Sequence, residues 1–459
     1  MICPLYLQAK QSPNDLYLIL NARTISFSHF HQQVQACTDY LRTIPTTAPL
    51  AISSDDIFAL LSWIFAAART GHRIAIPSTK DPSDQRDRIL QTLNMYTESL
   101  LWTLPPLKQP ISEMAIPRIK DPHAPWIMLF TSGSSGTPKV VVHSFASLWS
   151  SANFSQQNIP FSKGDRWLQS LFLWHIGGLM IPIRALFGGA SVVQKDRLLT
   201  LPDQIEGDLV SHLSLVATQL QDLLRIVESE KRSFSSIKAI LVGGGAIPNP
   251  LVERAITQHL PIHTTYGMTE LGSQLTTTPP NASLQVLQSA GYPLGDWQIR
   301  IGDQQEIQVK GSPLFLGYWN GLTIEDPRDH DGYFGTSDRG IIQNKALYPI
   351  GRVDQMFISG GENIHPEEIE QHFQQLDLFA IVVPIPDERY GKRPLAFVLV
   401  DTISKSLHRQ ITDLLAQSLP KFKHPDHILP WPTGVSTYKP SRKQLTDIAE
   451  VWIKKQRSL

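Results

Sequence analysis

FTSGSSGTPKV, Phe130–Val140, joins the end of one apolar run, WIMLF at 126–130, to the start of another, VVVHS at 140–144. Its glycines, hydroxyl residues, proline and lysine predict a loop between two strands, with donors suited to phosphate oxygens. A P-loop NTPase needs four residues between its first glycine and Gly-Lys, and a helix afterwards. Gly133 and Gly136 are closer together than that and valines follow Lys139, so the P-loop class is excluded. An ordinary Ser/Gly hairpin loop remains the alternative.

Outward from this loop, short apolar strands alternate with helical patterns. The candidate strands are WIMLF (126–130), RWLQSLFL (166–173), ASVVQ (190–194), LSLVA (213–217), IKAILVG (237–243) and PIHTTY (261–266). The candidate helices are GLMIPIRALFGG (178–189), TQLQDLLRIVES (218–229) and NPLVERAITQHL (249–260). In the last helix we expect Asn249 as the cap and Pro250 at the first position. This alternation predicts an α/β fold with a largely parallel sheet.

The pattern changes after Gly291, where WQIRIGD, EIQVKG and LFLGYW predict short strands with turns. A smaller α/β unit is predicted to begin near Gly351. Its first helix starts at His365–Glu368 and is followed by the strands FAIVVP and LAFVLV and the helix ITDLLAQSL. We therefore predict two domains, over residues 1–350 and 351–459.

The composition narrows the class of protein. The 459 residues include 41 Lys plus Arg and 41 Asp plus Glu, so the net charge is near zero. The protein therefore has no overall positive charge that would attract nucleic acid. Only Cys3 and Cys37 are present, so a disulfide framework is excluded and a reducing compartment fits. The N-terminus lacks the features of a signal peptide. The longest apolar stretch, ALLSWIFAAA (59–68), is about half as long as a membrane span. We expect a cytoplasmic protein without stable membrane insertion.

Six motifs resemble, in order, the signatures of the adenylate-forming superfamily, which includes acyl-CoA synthetases, firefly luciferase and peptide-synthetase adenylation domains. They are TSGSSGTPK (131–139), LVGGGAIP (241–248), TTYGMTE (264–270), GTSDRG (335–340), GRVDQMFISGGENIHPEEIE (351–370) and YKPSRKQL (438–445). The resemblance implies a large N-terminal adenylating domain with parallel-sheet α/β subdomains and a small β-barrel-like part. It also implies a small, mobile α+β C-terminal domain.

The resemblance assigns nucleotide-binding roles to named residues. The phosphate loop would be Thr131, Ser132, Gly133, Ser134, Ser135, Gly136 and Lys139. The nucleotide would also contact Gly244, Gly245, Tyr266, Gly267, Met268, Asp338 and Arg352, with Tyr266 against adenine and Asp338 on the ribose. Thr269 would donate to the α-phosphate and Glu270 would bind Mg²⁺. The alternatives are a core aromatic for Tyr266 and a surface turn residue for Glu270. Ser337 replaces the usual glycine.

The superfamily's catalytic lysine aligns with Lys439, although Tyr438 replaces the usual glycine before it. Lys439 would bridge the attacking carboxylate and the α-phosphate, because both are anions that repel each other. Asp354 would be the hinge about which the small domain moves. Arg442 and, more weakly, Lys443 are the alternative catalytic cations.

The acid substrate is indicated by a basic residue in an apolar run. In the apolar stretch HIGGLMIPIRALFGGASVV, the basic side chains are His175 and Arg184. By the resemblance, His175 stands where the superfamily commonly has a histidine beside the acyl pocket. Buried arginine is uncommon without an anion, so a substrate with a second carboxylate is predicted. A salt bridge to a protein acid, or a solvent-exposed helix face, is the alternative.

The predicted reaction consumes a small carboxylic acid, ATP with Mg²⁺, and CoA. Three rivals remain: a ligase for aryl or fatty acids, an enzyme that loads a carrier protein, and a non-catalytic nucleotide-binding protein. The sequence leaves a homodimer open.

Overall fold

The computed structural model describes residues 1–46, 48–80, 83–95, 104–107, 116–131, 138–435 and 441–457. The chain divides into two compact units. The first unit comprises residues 1–246, 255–298 and 310–334, and the second comprises 247–254, 299–309 and 335–459. The predicted division between residues 350 and 351 stays a prediction.

The helices alternate with strands along most of the chain. The α-helices are α1 (Pro4–Gln11), α2 (Phe27–Leu41), α3 (Ile57–Thr70), α4 (Ser83–Thr92), α5 (Phe145–Asn158), α6 (Ile176–Gly188), α7 (Leu201–Gly207), α8 (Ala217–Glu230), α9 (Asn249–Thr257), α10 (Leu284–Leu287), α11 (Pro366–Gln374), α12 (Lys405–Ser418) and α13 (Arg442–Arg457).

The strands of the first half are β1 (Leu16–Leu20), β2 (Arg23–Ser26), β3 (Leu50–Ala51), β4 (Ile74–Ile76), β5 (Pro125–Thr131), β6 (Lys139–Ser144), β7 (Arg166–Gln169), β8 (Ser191–Gln194), β9 (His212–Leu215), β10 (Ala239–Val242), β11 (Ile262–Tyr266) and β12 (Thr276–Thr277). Those of the second half are β13 (Tyr292–Pro293), β14 (Gln298–Ile301), β15 (Glu306–Lys310), β16 (Gly317–Trp319), β17 (Ile324–Glu325), β18 (Phe334–Gln343), β19 (Ala346–Arg352), β20 (Phe357–Ser359), β21 (Glu362–Ile364), β22 (Ala380–Asp387), β23 (Gly391–Val398) and β24 (His427–Pro430).

A nine-stranded sheet in the first unit confirms the predicted α/β class. Its order is β13-β12-β11-β10-β9-β7-β8-β1-β2, and the strands from β11 to β1 run parallel. β9 and β10 are buried along their whole length, as expected for parallel strands covered on both faces. The predicted strand RWLQSLFL is wrong beyond Gln169. The Gln169 amide donates to the carbonyls of Leu171 and Gly178, so the chain folds back there towards α6.

A six-stranded sheet, ordered β17-β16-β6-β5-β4-β3, carries the glycine-rich loop of the first unit. β5 and β6 form an antiparallel pair in which Thr131 is opposite Lys139. The apolar stretch ALLSWIFAAA lies in α3, which is buried all round and begins at an Asp56 cap. Among the described residues, no helix combines the length and apolarity that crossing a membrane requires.

The second unit contains a four-stranded sheet, β14-β15-β18-β19, and a three-stranded sheet, β22-β23-β24. The predicted helix after His365 is α11, with Ile369 and Phe373 buried. Alternate side chains of β22 and β23 enter two separate apolar clusters, as the two-residue period of a strand requires. One cluster includes α11 and α12 and the other includes α13.

Candidate active site

The glycine-rich loop lies between two antiparallel strands. Thr131 ends β5, Lys139 begins β6, and the Thr131 hydroxyl donates to the Lys139 carbonyl over 3.4 Å. The Lys139 ammonium lies 5.0 Å from the centre of the Tyr318 ring. A strand follows the loop, so the exclusion of a P-loop is confirmed. The predicted phosphate ligands Ser132, Gly133, Ser134, Ser135 and Gly136 lie outside the described residues.

Thr269 and Glu270 form a tight 3₁₀ turn, Thr269–Leu271, just after β11. The Phe315 amide donates to the Glu270 carbonyl over 2.9 Å. The Ser151 hydroxyl of α5 donates to the Gly272 carbonyl over 2.7 Å. The turn is therefore attached to the body of the first unit on two sides.

The Glu270 carboxylate faces inward, and the residue is only 5% exposed. The Tyr318 hydroxyl donates to Glu270 Oε1 over 2.8 Å. The alternative interpretation of Glu270 as a surface turn residue is wrong. Sequence reasoning missed Tyr318, because only the pairing of β16 with β6 brings it to the turn.

Glycine is required at two motif positions for steric reasons. A Cβ at Gly267 would lie 1.8 Å from the Ser273 carbonyl oxygen, so only glycine lets the turn fold back on itself. Gly244 has a φ of +83°, in the region that favours glycine. At Gly245 a Cβ would meet nothing within 4 Å. The adenine contacts predicted for Gly244, Gly245, Tyr266, Gly267 and Met268 stay predictions.

Arg184 lies on α6 and is completely buried. Its Nη2 donates to the Ser273 hydroxyl over 3.1 Å, and its guanidinium carbon lies 5.6 Å from the Trp167 ring centre. Nε and Nη1 have no hydrogen-bond partner in the part of the chain that the structure describes. Burial lowers the pKa of Arg184 to about 9, so the group is still a cation at neutral pH.

Among the described residues, these contacts contradict both alternatives for Arg184, the salt bridge to a protein acid and the solvent-exposed helix face. The side chain neither forms a salt bridge to a described carboxylate nor reaches solvent. It lies instead against Ser273, three positions beyond Glu270 in the chain. His175 stands directly before α6, and its place beside an acyl group stays a prediction.

In the second unit, Arg352 connects two predicted functional carboxylates. Its Nη1 donates to Asp338 Oδ1 over 2.8 Å, and its Nε and Nη2 each donate to Asp354 over 2.8 Å. Asp338 and Arg352 are directly opposite each other on β18 and β19. Ser337 has a φ of +61°, which explains why glycine is usual at that position. The ribose and hinge roles stay predictions.

Lys439 lies outside the described residues, so its role stays a prediction. Arg442, the alternative cation, is held at the start of α13. Its Nη1 donates to Glu370 Oε1 over 2.5 Å and to the Val382 carbonyl. Its Nη2 donates to Glu370 Oε2 over 3.2 Å. Burial lowers the pKa of Arg442, but the nearby carboxylates, Glu370 foremost, together raise it above its ordinary value, so the guanidinium stays charged.

Glu367 lies beside this ion pair, with Oε1 3.8 Å from Arg442 Nη2. Its other oxygen, Oε2, is buried and makes no hydrogen bond among the described groups. Burial raises the pKa of Glu367 to about 7, against the opposing effect of Arg442. The second unit therefore contains a carboxyl group that titrates near neutral pH.

The described residues contain no group of three or more His, Cys, Asp or Glu side chains that could hold a metal ion. Mg²⁺ commonly takes one or two protein carboxylates, substrate phosphates and water. Glu270 is a hard oxygen ligand of the kind that Mg²⁺ prefers, and its inward-facing carboxylate fits this arrangement.

The chain matches the family described as AMP-binding enzyme over residues 72–319. It is 32% identical over 409 residues to the 2-succinylbenzoate–CoA ligase of Escherichia coli K12, covering 86% of this chain and 85% of that protein. It is 31% identical over 377 residues to the Bacillus subtilis 2-succinylbenzoate–CoA ligase, covering 79% and 75%.

A solved structure with the same fold is o-succinylbenzoate CoA synthetase (MenE) from Bacillus subtilis in complex with the acyl-adenylate intermediate OSB-AMP. It matches with a TM-score of 0.84 and 26% identity, over 97% of this chain and 98% of that one. The match covers nearly the whole of both chains, which confirms the fold class. The chain belongs to the family of AMP-binding enzymes.

Proposed function

We propose that this protein is an ATP-dependent ligase that converts 2-succinylbenzoate, ATP and CoA into 2-succinylbenzoyl-CoA, AMP and pyrophosphate. The reaction proceeds through an acyl-adenylate and belongs to menaquinone biosynthesis. ATP, Mg²⁺ and CoA are the implied small molecules.

The observation that carries the proposal is the buried cation next to the Thr269–Glu270 turn. Arg184 is fully buried, bonded to Ser273, and has two nitrogen donors without a protein partner among the described residues. A desolvated guanidinium with free donors favours binding of a carboxylate, because charge-assisted bonds offset its desolvation. 2-Succinylbenzoate has one carboxylate to be activated and a second that Arg184 can bind. A fatty acid has no second carboxylate.

The first half-reaction joins two anions. A carboxylate oxygen attacks the α-phosphorus of ATP, an O–P bond forms, and the bond to the β-phosphate oxygen breaks to release pyrophosphate. The Thr269 hydroxyl is the donor proposed for the α-phosphate, and the Glu270 carboxylate is the proposed ligand for Mg²⁺. Bound Mg²⁺ neutralises part of the phosphate charge. The Tyr318 hydroxyl donates to Glu270 Oε1 and so fixes the orientation of the carboxylate that would hold the metal.

In the second half-reaction the CoA thiol attacks the acyl carbonyl, and AMP leaves with the oxygen that joined it to the acyl group. Lys439 is proposed as the cation of the first step, and movement about Asp354 would remove it before the second. Arg442 is unsuited to that exchange because its guanidinium is held by Glu370.

The proposal also covers the cellular compartment and the oligomeric state of the protein. Cys3 and Cys37 are both buried and unpaired, which fits a reducing cytoplasm. A homodimer stays a prediction, which light scattering of the purified protein can test.

The decisive experiment is pyrophosphate release with a panel of acids, with and without CoA. The panel includes 2-succinylbenzoate, 3-benzoylpropionate, which lacks the ring carboxylate, and benzoate and octanoate. We expect thioester formation with 2-succinylbenzoate to exceed the others by about ten- to hundredfold in kcat/KM, the value of one charge-assisted contact.

Other outcomes identify the rivals. Equal rates with benzoate or octanoate would support an aryl or fatty acyl-CoA ligase. Activity with a holo carrier protein and no CoA would support a carrier-loading enzyme. If no acid promotes exchange of pyrophosphate into ATP, the protein is a nucleotide-binding protein without this activity.

A further inference from the structure

His143 connects the strand after the glycine-rich loop to the Thr269–Glu270 turn. It lies near the end of β6 and is completely buried. Its Nε2 is 2.7 Å from the Thr269 carbonyl oxygen, and its Nδ1 is 3.1 Å from the Ser147 hydroxyl. The two residues His143 and Thr269 are 126 positions apart in the chain.

The surroundings fix the protonation of the ring. Burial lowers the pKa of His143 to about 4, so the imidazole is neutral at the pH of the reaction. A carbonyl oxygen can only accept, so Nε2 must carry the hydrogen and donate it to Thr269. Nδ1 is then an acceptor for the Ser147 hydroxyl, whose single hydrogen the Ser144 carbonyl, 3.0 Å away, can also accept. The Thr269 carbonyl therefore selects the tautomer that carries its hydrogen on Nε2.

The other contacts of the turn come from the same part of the molecule. Ser147 and Ser151 are one helical turn apart on α5, and Ser151 donates to the Gly272 carbonyl. Tyr318, which donates to Glu270, lies on β16 directly opposite Val141 of β6. β6 and the start of α5 therefore form one rigid frame for the turn.

Three hydrogen bonds, one of them from this frame, constrain Glu270. His143 holds the peptide before Glu270, the Phe315 amide holds the peptide after it, and Tyr318 holds its carboxylate. Fixing both peptides that flank Glu270 sets the direction of its Cα–Cβ bond, and fixing the first of them also restricts Thr269. Catalytic groups need such support, because a displacement of about 1 Å can cost a hundredfold in rate.

We propose that His143 is a positioning residue for adenylate formation: its Nε2–H holds the Thr269 carbonyl and thereby directs the Thr269 hydroxyl and the Glu270 carboxylate at the reacting phosphate and its metal. This inference rests on the proposed function and adds a residue that does not itself touch substrate.

His212 provides a matched control. It is also buried, its Nε2 is 3.2 Å from the Pro160 carbonyl, and its Nδ1 is 2.8 Å from the Ser211 hydroxyl. Replacing it removes the same kind of hydrogen bond from the same unit without touching the Thr269–Glu270 turn. His143→Leu and His212→Leu should therefore lower the melting temperature to a similar extent but differ in activity.

The experiment measures acid-dependent exchange of pyrophosphate into ATP at several Mg²⁺ concentrations, together with calorimetric binding of ATP with Mg²⁺ in the absence of acid. His143→Leu should lower kcat and weaken ATP–Mg²⁺ binding, each by about ten- to hundredfold, the usual effect of losing a support of a metal or catalytic group. KM for the acid should stay within about twofold, since no substrate contact is removed. His212→Leu should keep kcat and ATP–Mg²⁺ binding within about twofold.

His143→Gln tests the donor itself, because the glutamine amide can place an N–H near the position of Nε2. It should restore kcat to within about threefold of wild type. That loss of kcat is smaller than the loss expected when one hydrogen bond is removed entirely. The proposal is overturned if His143→Leu matches wild type, if His212→Leu loses as much activity, or if His143→Gln is no better than His143→Leu.

If His143→Leu does not fold, His143→Gln and Ser147→Ala decide the matter. Ser147→Ala removes the hydroxyl that contacts Nδ1 and helps to hold the ring in place, and should lower kcat by about fivefold, within the range for one neutral hydrogen bond. An unchanged kcat in Ser147→Ala, or a Gln variant as inactive as a folded Thr269→Val variant, would contradict the proposal. A wild-type protein with no acid-dependent exchange would contradict the proposed function instead, which the acid panel shows separately.

Discussion

Arg184 is completely buried and Arg442 is mostly buried, but their surroundings differ in one decisive respect. Arg184, on α6 of the first unit, meets a hydroxyl and an aromatic ring. Arg442, on α13 of the second unit, meets the carboxylates of Glu370 and Glu367 and a backbone carbonyl. Burial moves the pKa of Arg184 down, whereas the nearby carboxylates keep that of Arg442 above its ordinary value.

The difference shows how a structural arginine is separated from a ligand-binding one. Arg442 has its counter-ion within the fold, so its charge stabilises the second unit. Arg184 lacks a described counter-ion, so its charge costs folding free energy until a substrate anion binds. Natural proteins often retain such locally unfavourable groups at functional sites. The following predictions test this contrast, beginning with the largest effect.

Lys439→Ala tests whether the catalytic cation of the second unit is Lys439 rather than Arg442. We expect adenylate formation to fall by about a thousandfold, the upper range for loss of one transition-state cation or donor. Thioester formation from supplied acyl-adenylate should remain within about fivefold of wild type, because Lys439 acts only in the first step. Single-turnover assays of each half-reaction measure both. Equal losses in a folded variant would contradict the moving-lysine mechanism.

Arg442→Met should destabilise the protein by about 2–4 kcal/mol, somewhat less than for a fully buried pair, because it leaves the mostly buried Glu370 carboxylate without its partner. Urea unfolding followed by circular dichroism measures this change. The pyrophosphate exchange rate of the remaining folded protein should be nearly unchanged. If Arg442→Met is stable but inactive in adenylate formation, Arg442 is the catalytic cation and the contrast with Lys439 fails.

Arg184→Met should have the opposite effects: it should impair substrate binding without lowering stability. Removing a buried charge without a protein counter-ion should leave stability unchanged or raise it by about 1–4 kcal/mol. KM for 2-succinylbenzoate should rise by about ten- to hundredfold, whereas KM for 3-benzoylpropionate should change little. An equal effect on both acids would identify Arg184 as a structural residue.

The pKa of Arg184 adds a pH test to the same substrate pair. Burial lowers the pKa of the free Arg184 guanidinium to about 9, so we expect the group to lose its proton as the pH rises through that value. KM for 2-succinylbenzoate should therefore rise through that range in the wild-type enzyme, and KM for 3-benzoylpropionate should not show this Arg184-dependent rise. The Arg184→Met variant should lack the difference between the two acids. Initial rates at pH 7.5, 8.5 and 9.5 measure it.

The sequence predicted those parts of the molecule that local patterns determine. Strand and helix alternation predicted the parallel sheet, and an arginine within an apolar run predicted the buried Arg184. The strand proposed for RWLQSLFL was too long, because the hydrogen bonds of Gln169 outweigh the apolar pattern beyond it.

Contacts between distant segments could not be predicted in this way. Tyr318 reaches Glu270 only because β16 pairs with β6, and His143 reaches Thr269 across more than a hundred residues. Neither residue carries a local signal of that contact. The ion pairs of Arg442 likewise depend on contacts of α13 with α11 and β22, which no spacing within the YKPSRKQL motif reveals.

Glu367→Gln tests whether the ion pair of Arg442 with Glu370 also includes an ionised Glu367. Of the predicted changes, we expect this one to be the smallest. The folded-state pKa of Glu367, about 7, lies above its ordinary value of 4.5, so the folded protein holds a proton that the unfolded chain releases. Its contribution to stability is complete below about pH 4.5 and is lost as the pH rises through about 7. Glutamine mimics the protonated acid at every pH, so the variant should gain about 1–3 kcal/mol relative to wild type between pH 5 and pH 8. Urea unfolding at both values measures this gain. If the gain is absent, the charge of Arg442 keeps Glu367 ionised in the folded state, and the Arg442 pair extends to both carboxylates.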